Sequence, residues 1–429
     1  MKLRELSKDE FAAYALTHEQ NNFHQTLAWG ELKATNGWRN YYVGLIDDND
    51  KIIGASLLLS KKLVLNINLF YAPRGFLIDY KDAVILKTFT KLVKDFARKK
   101  KAIFIKIDPY VMYKEHDING ELVENGIDNS EVVDNLIKLG YKHKGFTVYQ
   151  GTLQPRWMFV LDVENKTEDE LLKEMYHPTT RHVITKTLKL GYDIIDVNLD
   201  NMQDFKDLMA KTSKRRGFID RPLSYYQNMY KILSKYNMIK VLLVAFNCDD
   251  SIAKLAAGRK EKEDLHKNVL DKLAVTPNNK KYLTQANEIS NSIDDANRKI
   301  KDIEDLKAEY GNSITMAGSM FIMYGDEVLY LYSGAYEEFL KYDAPYRLQW
   351  EMISYAVKNG YKRYNFYGIS GAFNKEDESY GVYSFKRGFN GKVVELIGEF
   401  DLVINKPLYH LYNFSFKAYR RLKNLKHDK

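Results

Sequence analysis

One pattern of secondary structure occurs twice along the chain, and it constrains the fold more than any other feature. The first copy begins with "YYVGLIDDNDKIIGASLLLS", continues through "FYAPRGFLID" to a helical stretch from about Ala83 to Arg98, and ends in "AIFIKIDPY". The second begins with "ITMAGSMFIMYGDEVLYLYSG", continues to a helical stretch from about Pro345 to Lys358, and ends in "RYNFYGIS". This order of hairpin, loop, helix and strand predicts a tandem duplication of one α/β unit with mixed sheets. Chance similarity between two common α/β patterns is the alternative.

A long polar segment interrupts the second copy. The apolar run "IKVLLVAF" ends near Asn247, and the pattern resumes at Ile314. Apolar residues in between follow the three- and four-residue steps of a heptad, at Ala286, Ile289, Ile293, Ala296, Ile300 and Ile303, preceded less regularly by Leu255, Leu265, Val269 and Leu273. They predict an antiparallel two-helix coiled-coil arm. The arm fits either a rigid spacer or a partner-binding element.

The stretch "SYGVYSFKRGFNGKVVELIGEF", from Ser379 to Phe400, combines alternating side chains with cations and glycines. We predict a half-buried strand that is interrupted at Gly388 and Gly391. Glycine within a strand marks a bulge, a bend, or a close approach by a ligand or another backbone. Lys386 is therefore either an edge-strand lysine that resists aggregation or a cation placed at a site.

The residues after "GEFDLVINKP" predict a basic amphipathic helix. Its apolar stripe consists of Leu408, Leu411, Tyr412, Tyr419 and Leu422. We expect this helix to pack back on the body, and a membrane-surface role is the alternative.

The composition indicates a protein of two or three domains from a reducing compartment, since 429 residues include one cysteine, Cys248. The N-terminus carries acidic residues where a signal peptide needs an apolar run. No apolar run is long enough to span a bilayer. We therefore expect a cytoplasmic protein.

The net charge of +8 is concentrated in Arg98–Lys101, Ser213–Arg216 and the tail from Lys417. Each cluster alone is compatible with a solvated face, and together they permit an anionic partner such as RNA or an acidic membrane surface.

Several common catalytic motifs are absent from the sequence. There is no Walker A motif, no G-x-G-x-x-G and no H-E-x-x-H, and the spacing of His177 and His182 is poor for one helix face. Ser370 in "YGISGAF" lacks the nucleophile-elbow pattern and is interpreted as a turn residue. We expect neither a metal nor a cofactor, and a structural role for Cys248.

Polar residues at strand ends and loops remain as candidates. Asp108 follows an apolar strand, where α/β folds place ligands, although a turn cap is the alternative. Lys33 lies near Trp38 at the end of a predicted helix. In "RRGFIDRPLSYY", Arg221 and Tyr225 are four residues apart and would share a helical face.

Several longer segments resemble the Fem family of aminoacyltransferases: "FHQTLAWGELK", "FYAPRGFLIDY", "IKIDPY", "YRLQWEMISYAVKNGYKRYNFYGISG" and "FKRGFNGKVVELIGEFDLVINKP". The resemblance runs in order from about residue 1 to 415, and the polar arm is similar to that of the long members. It implies an α/β fold of two tandem acetyltransferase-like (GNAT-like) domains with a coiled-coil arm inserted in the second. The implied divisions are 1–153 for the first domain, 154–246 and 313–398 for the second, 247–312 for the arm and 399–429 for the C-terminal helix.

The resemblance also implies a reaction. Family members take an amino acid from aminoacyl-tRNA and form a peptide bond to the stem peptide of a cell-wall precursor, either lipid II or a UDP-linked muramyl pentapeptide. Which of glycine, serine and alanine is transferred stays open, and peripheral association with the inner membrane surface would follow from a lipid-linked acceptor.

The family motif "FK-x-GF" implies that Lys386 stabilises the oxyanion, with Phe385 keeping its surroundings apolar. Asp108 is implied to orient or deprotonate the attacking amine. Further residues are implied to bind the muramyl peptide and its diphosphate, namely Lys33, Arg221, Tyr225 and Tyr332, with Arg216 as the alternative to Arg221.

Two other functions are alternatives. An acyl-CoA-type N-acyltransferase would need the Q/R-x-x-G-x-G/A turn, which neither unit contains. A non-catalytic tRNA- or membrane-binding scaffold would show no turnover.

Overall fold

Two mixed β-sheets form the framework of the protein. The computed structural model describes residues 1–63, 67–149 and 151–427, with side chains up to residue 416. Within these residues the first sheet contains β1 Lys2–Glu5, β2 Arg39–Ile46, β3 Ile52–Lys62, β4 Asn68–Ala72, β5 Ala102–Ile107, β7 Tyr141–His143 and β15 Phe400–Val403. Their spatial order is β1-β2-β3-β4-β5-β15-β7.

The second sheet is formed mainly by the C-terminal half of the chain. Its described strands are β6 Met112–Glu115, β8 Trp157–Asp162, β9 Tyr192–Asp196, β10 Ile239–Asn247, β11 Ser313–Tyr324, β12 Glu327–Ala335, β13 Arg363–Ile369 and β14 Lys392–Leu396. They are arranged in the order β6-β14-β8-β13-β12-β11-β10-β9.

Helices lie between the strands along the chain. Those in the described residues are α1 Lys8–Thr17, α2 Leu27–Ala34, α3 Ala83–Lys99, α4 Ser130–Lys138, α5 Glu168–Lys173, α6 Pro178–Leu188, α7 Met202–Arg216, α8 Leu223–Leu233, α9 Cys248–Val275, α10 Lys280–Tyr310, α11 Ala344–Lys358, α12 Tyr380–Arg387 and α13 Lys406–His427.

The predicted repeat is present, but its alignment is shifted by one strand. In the first unit β4 pairs with β5 in parallel, and α3 connects them. In the second unit β12 pairs with β13 in parallel, and α11 connects them. The hairpin β2–β3 therefore corresponds to β10–β11, where the polar segment takes the place of the turn. The sequence pattern missed this correspondence because β4 is short and was interpreted as part of a loop.

Helix α3 illustrates how the sequence determines the local structure. The Asp82 side chain caps the helix by accepting hydrogen bonds from two backbone N–H groups of the first turn. Leu86, Phe89, Val93 and Ala97 recur at three- and four-residue steps and are buried. Each of the larger side chains contributes about 1.5–3 kcal/mol through burial, so this face holds α3 against the sheet.

The two sheets exchange strands across the predicted domain divisions. Strand β6, from within 1–153, pairs with β14 in the second sheet. Strand β15, from the C-terminal segment, lies between β5 and β7 in the first sheet. The residues around 400 are therefore a strand, and the C-terminal helix predicted within 399–429 begins only at Lys406.

The inserted segment forms an antiparallel pair of helices, α9 and α10, joined by residues 276–279. Val269 of α9 lies buried with Ala286 and Ile289 of α10. At the base, the Cys248 N–H donates to the carbonyl of Asn312 at 2.9 Å. The predicted contact role of Leu265 is wrong, since this side chain is 47% exposed.

The residues around Lys386 form helix α12, so the prediction of a strand there is wrong. Tyr380, Tyr383 and Arg387 lie three, four and seven residues apart, and the Arg387 guanidinium lies 5.9 and 5.4 Å from the two tyrosine rings. Tyr383, Phe385 and Arg387 also alternate, and over so few residues that alternation does not distinguish a strand from a helix. The edge-strand interpretation of Lys386 is therefore wrong.

The glycines that follow α12 allow close approaches between elements. A Cβ on Gly391 would lie 2.6 Å from the Val160 carbonyl oxygen, and one on Gly388 would contact the Thr180 hydroxyl. Of the three explanations for these glycines, close approach to another backbone applies at Gly391. The strand of this stretch is β14, which starts immediately afterwards.

The first turns of α13 pack on the first sheet. The ring of Tyr409 lies 5.3 Å from that of Phe104, and its hydroxyl donates to Asp401 at 2.8 Å. Leu411 is 60% exposed, so its predicted place in the packed stripe is wrong. The side chains of Tyr419 and Leu422 lie outside the described part of the chain. No helix in that part is both long and apolar enough to cross a bilayer.

Candidate active site between the sheets

The candidate site lies where the ends of β4 and β5 meet β12 and β13. A buried apolar cluster joins the two sheets beside it, and its members include Leu57 and Leu59 of the first sheet and Leu243, Met320 and Ile322 of the second. Polar side chains near such a junction are removed from water, so their ionisation depends on burial as much as on charge.

Asp108 occupies the predicted position directly after β5 and is 3% exposed. Its Oδ1 accepts a hydrogen bond from the Arg74 backbone N–H at 2.7 Å, and its Oδ2 accepts one from the Tyr71 hydroxyl at 3.0 Å. Burial raises the pKa of Asp108 to about 6, although Arg74 opposes the rise. Asp108 is thus both a carboxylate at the sheet end and a cap for the turn after β4.

Arg74 is a residue that the sequence analysis missed. It is 2% exposed, has a φ of 54°, and donates from Nη2 to the Pro155 carbonyl at 2.7 Å. Its guanidinium lies 5.8 Å from the centre of the Tyr110 ring. Arg74 therefore connects the turn after β4 to the segment that enters β8. An arginine between the apolar runs of "FYAPRGFLID" was the signal that could have revealed it.

Tyr367 is a second missed residue, and it extends the polar cluster into the second sheet. Its hydroxyl donates to Gln154 Oε1 at 2.7 Å. Its φ of 62° coincides with a break in the pairing of β13 with β8. Burial raises the pKa of Tyr367, and the charge of Arg74 opposes this. The irregular backbone thus turns a half-buried phenol toward the first sheet's ionisable groups.

Lys386 lies behind this irregular stretch. It is 5% exposed, and its Nζ donates to the Phe366 carbonyl at 2.6 Å and the Gly368 carbonyl at 2.7 Å, which belong to the residues before and after Tyr367. Burial lowers the pKa of Lys386 to about 7. A small change in its surroundings can therefore change its charge near neutral pH.

Lys33 and Arg221 approach from the helical side of the cleft. The Trp38 backbone N–H donates to the Lys33 carbonyl at 3.2 Å, so Trp38 is a neighbour as predicted, while the Lys33 Nζ lies 4.4 Å from the centre of the Trp29 ring. Burial, together with the charge of Arg221, lowers the pKa of Lys33 to about 8. Two cations are held close together here, an arrangement suited to an anionic ligand.

The predicted tyrosines lie next to Arg221. The guanidinium of Arg221 lies 5.4 Å from the Tyr225 ring, although α8 begins only at Leu223, so the two do not share a helical face as predicted. Burial raises the pKa of Tyr225, and proximity to Tyr332 raises it further.

Arg216 and Phe385 are not part of the cluster formed by the other predicted residues. Arg216 is exposed at the end of α7. The Phe385 ring lies 4.9 Å from Tyr346 and 5.5 Å from Phe389, on the apolar side of α12.

A second buried carboxylate lies close to Arg74. Glu327 is 8% exposed and accepts hydrogen bonds from the Tyr110 hydroxyl at 3.2 Å and from Asn365 Nδ2 at 3.1 Å. Burial raises the pKa of Glu327. Sequence reasoning missed it because a glutamate after a turn is usually exposed. The described residues contain no cluster of His, Cys, Asp and Glu that could hold a metal ion.

Comparisons with known proteins identify the family. The model of the FemAB family matches residues 6–417. The chain belongs to the FemAB family. Two curated relatives, each named aminoacyltransferase FemA and from Staphylococcus aureus strains bovine RF122 / ET3-1 and MW2, are 31% identical over 424 residues, covering 98% of this chain and 100% of theirs.

A solved structure supports the same assignment. The crystal structure of FemX matches with a TM-score of 0.76 and 28% identity, covering 96% of this chain and 99% of that one. The predicted resemblance, the two-sheet α/β fold class and the enzyme class, an aminoacyltransferase, are therefore confirmed for this FemAB protein.

Proposed function

We propose that this FemAB protein transfers an amino acid from aminoacyl-tRNA to the stem peptide or growing bridge of lipid II, in synthesis of the peptidoglycan interpeptide bridge. The observation that carries the proposal is the cluster between the sheets. There, burial brings the pKa values of Lys386, Lys33 and Asp108 to about 7, 8 and 6. Such a cluster suits aminolysis of an activated ester, which needs no nucleotide hydrolysis.

The proposed reaction has a simple balance of bonds and protons. The acceptor amine attacks the ester carbonyl, the C–N bond forms, and the bond to the tRNA ribose oxygen breaks. The amine loses a proton and the ribose oxygen gains one. Asp108, whose buried carboxylate titrates at about 6, orients the amine or accepts its proton, and direct transfer to the ribose is the other route.

We propose that Lys386 stabilises the tetrahedral oxyanion. A charged lysine has three N–H donors, and the carbonyls of Phe366 and Gly368 take two of them. Negative charge near the third donor favours the ammonium form, so the interaction is stronger in the transition state than in the ground state. Loss of one such donor costs about 10²–10³ in kcat.

The remaining candidates are proposed to hold the two substrates. Lys33 and Arg221 bind the acceptor's diphosphate, while Tyr225 and Tyr332 line the channel beside them. The exposed Arg216 stays the alternative to Arg221 as a ligand of the diphosphate. Phe385 keeps the side of α12 next to Lys386 apolar.

We also propose the predicted domain boundaries, which follow residues 153, 246, 312 and 398. The α9–α10 pair is then an arm whose role is structural or partner-binding. Because charged tRNA is a cytoplasmic donor, we propose that the enzyme works in the cytoplasm, at the inner face of the membrane when its acceptor is lipid-linked.

The test measures transfer of radiolabelled glycine, serine and alanine from charged tRNA to lipid II, to lipid II extended by one residue, and to the UDP-linked precursor. Wild type is compared with Lys386→Met and with Lys392→Met, which removes an exposed lysine. We expect transfer by wild type and Lys392→Met, and a loss of about 10²-fold or more in Lys386→Met. Folded wild-type protein that transfers none of the three to any acceptor would refute the proposal and favour a scaffold.

A further inference from the structure

The loop between α7 and α8 presents apolar side chains to solvent beside the candidate site. Ile219 is 75% exposed and Phe218 is 42% exposed. Gly217 ends α7 with a φ of 71°, in the left-handed region that glycine adopts readily. Two successive apolar side chains at an exposed tip, next to a binding cleft, indicate an interaction site more than a fold requirement.

The base of this loop is fixed by Asp220. Its Oδ1 accepts hydrogen bonds from the Tyr226 hydroxyl at 2.8 Å and from the Arg221 N–H at 2.7 Å, and its Oδ2 pairs with Lys206. The loop's acidic residue is therefore neutralised within the protein. The apolar tip directly precedes this ordered anchor, which lowers the entropy lost when the tip binds a surface.

Basic residues flank the apolar tip along the chain. Lys214 and Arg216 precede it at the end of α7, Arg221 follows it, and all three are exposed. We call these three residues the basic collar. An apolar tip within a basic collar complements an anionic lipid surface, where the tip enters the apolar region and each cation near the headgroups strengthens binding by about fivefold.

We infer that Phe218 and Ile219 insert into an anionic phospholipid membrane while the basic collar contacts its headgroups. RNA fits the loop less well, because phosphates would engage the collar but leave Ile219 in water. Docking here would bring Arg221 and Tyr225 to headgroup level. Its purpose rests on the proposed function, since a lipid-linked acceptor presents its diphosphate at that level.

Insertion can be measured directly, because the chain's one cysteine, Cys248, is buried. The full-length Ile219→Cys variant, labelled with an environment-sensitive dye, is mixed with vesicles of phosphatidylcholine and phosphatidylglycerol. We expect a blue shift and protection from aqueous iodide. Val275→Cys, at an apolar position 82% exposed at the end of α9, serves as the matched control and should show neither change.

A second pair of variants measures affinity. In sedimentation with the same vesicles, Phe218→Ser/Ile219→Ser should lose at least tenfold in binding, while Val275→Ser should bind as wild type does. Lys214→Gln should lose about fivefold, and Lys280→Gln, at an exposed lysine in α10, should lose little. Vesicle binding by wild type with a water-exposed label at residue 219 would overturn the inference, because another surface would then make the contact. Loss of tRNA binding without loss of vesicle binding would overturn it as well.

Activity separates this inference from the proposed function. Phe218→Ser/Ile219→Ser should keep its transfer rate with the soluble UDP-linked precursor and lose at least tenfold with lipid II embedded in vesicles. If wild type transfers to no acceptor while the label at 219 still inserts, the proposed function fails and the docking surface stands. If transfer to embedded lipid II is unchanged in the double variant, the docking surface fails and the proposed function stands.

Discussion

Replacement of Lys386 by methionine tests how strongly burial controls the site's ionisation. The pKa of this lysine falls from the ordinary value of 10.5 to about 7. At about 1.4 kcal/mol per pH unit, this corresponds to about 5 kcal/mol against the ammonium form at pH 7 and below. Two hydrogen bonds from a charged group return about 1.5–3 kcal/mol each. We therefore expect Lys386→Met to change the free energy of unfolding at pH 7 by less than about 2 kcal/mol.

The sign of the pH dependence follows from proton binding. Between pH 7 and 10.5 the unfolded chain holds a proton on Lys386 that the folded protein has released, so wild-type stability rises with pH in this window. From pH 7 to pH 9 wild type should gain about 2 kcal/mol relative to Lys386→Met, because the folded lysine is still half protonated at pH 7.

The assay is urea unfolding of both proteins at pH 7, 8 and 9, with Lys392→Met as the control for loss of an exposed lysine. The control should track wild type across the series. A constant difference between wild type and Lys386→Met at all three pH values would show that Lys386 stays charged when folded. It would refute the argument that burial sets its state.

Three further predictions concern the same site and its support. Asp108→Asn should reduce transfer by at least about 10²-fold. Wild type should also lose about 2 kcal/mol of unfolding free energy relative to the variant from pH 3.8 to 6, because the folded carboxyl binds its proton more tightly than the unfolded one. Urea unfolding across this range checks the sign. Binding of the acceptor at pH 8 should be accompanied by uptake of about half a proton by Lys33, because its pKa of about 8 rises beside a diphosphate. Calorimetry in buffers of different ionisation enthalpy measures the proton uptake. The Lys33→Met variant should show no such uptake. Gly391→Ala should lower the free energy of unfolding by about 1–3 kcal/mol, because its Cβ would lie 2.6 Å from the Val160 carbonyl oxygen. Gly381→Ala in α12, where the space around the Cβ is open, should leave the stability measured by thermal unfolding unchanged or raise it.

Sequence reasoning found the elements whose signal is local. The repeat was visible because hairpins, α3 and α11 have strong periodicity, and the heptad pattern in the inserted segment gave two helices. The prediction of a strand around Lys386 failed because Tyr383, Phe385 and Arg387 alternate over only a few residues of an eight-residue helix. Strands β4 and β15 are short, and their pairing depends on partners distant in sequence.

The site was predictable where a residue ends a strand and was missed where tertiary contacts define it. Asp108 follows an apolar strand, so its position at the sheet end could be inferred. Arg74 and Glu327 are buried, and Tyr367 is half-buried, only because two sheets meet over them, and no local pattern reports such a junction. Their polar atoms are satisfied by groups from distant segments, as with Arg74 Nη2 and the Pro155 carbonyl.

The exchanged strands make the two units interdependent. Strand β15 lies beside β5, the strand that positions Asp108, and it arrives only after the chain has passed through Lys386 and β14. The first sheet is therefore complete only when the second unit has been traversed. Burial at the junction between the sheets raises the pKa of Asp108. Because assembly of the first sheet and ionisation of Asp108 both depend on this junction, a perturbation that loosens it should return Asp108 toward its ordinary charge state before either sheet unfolds.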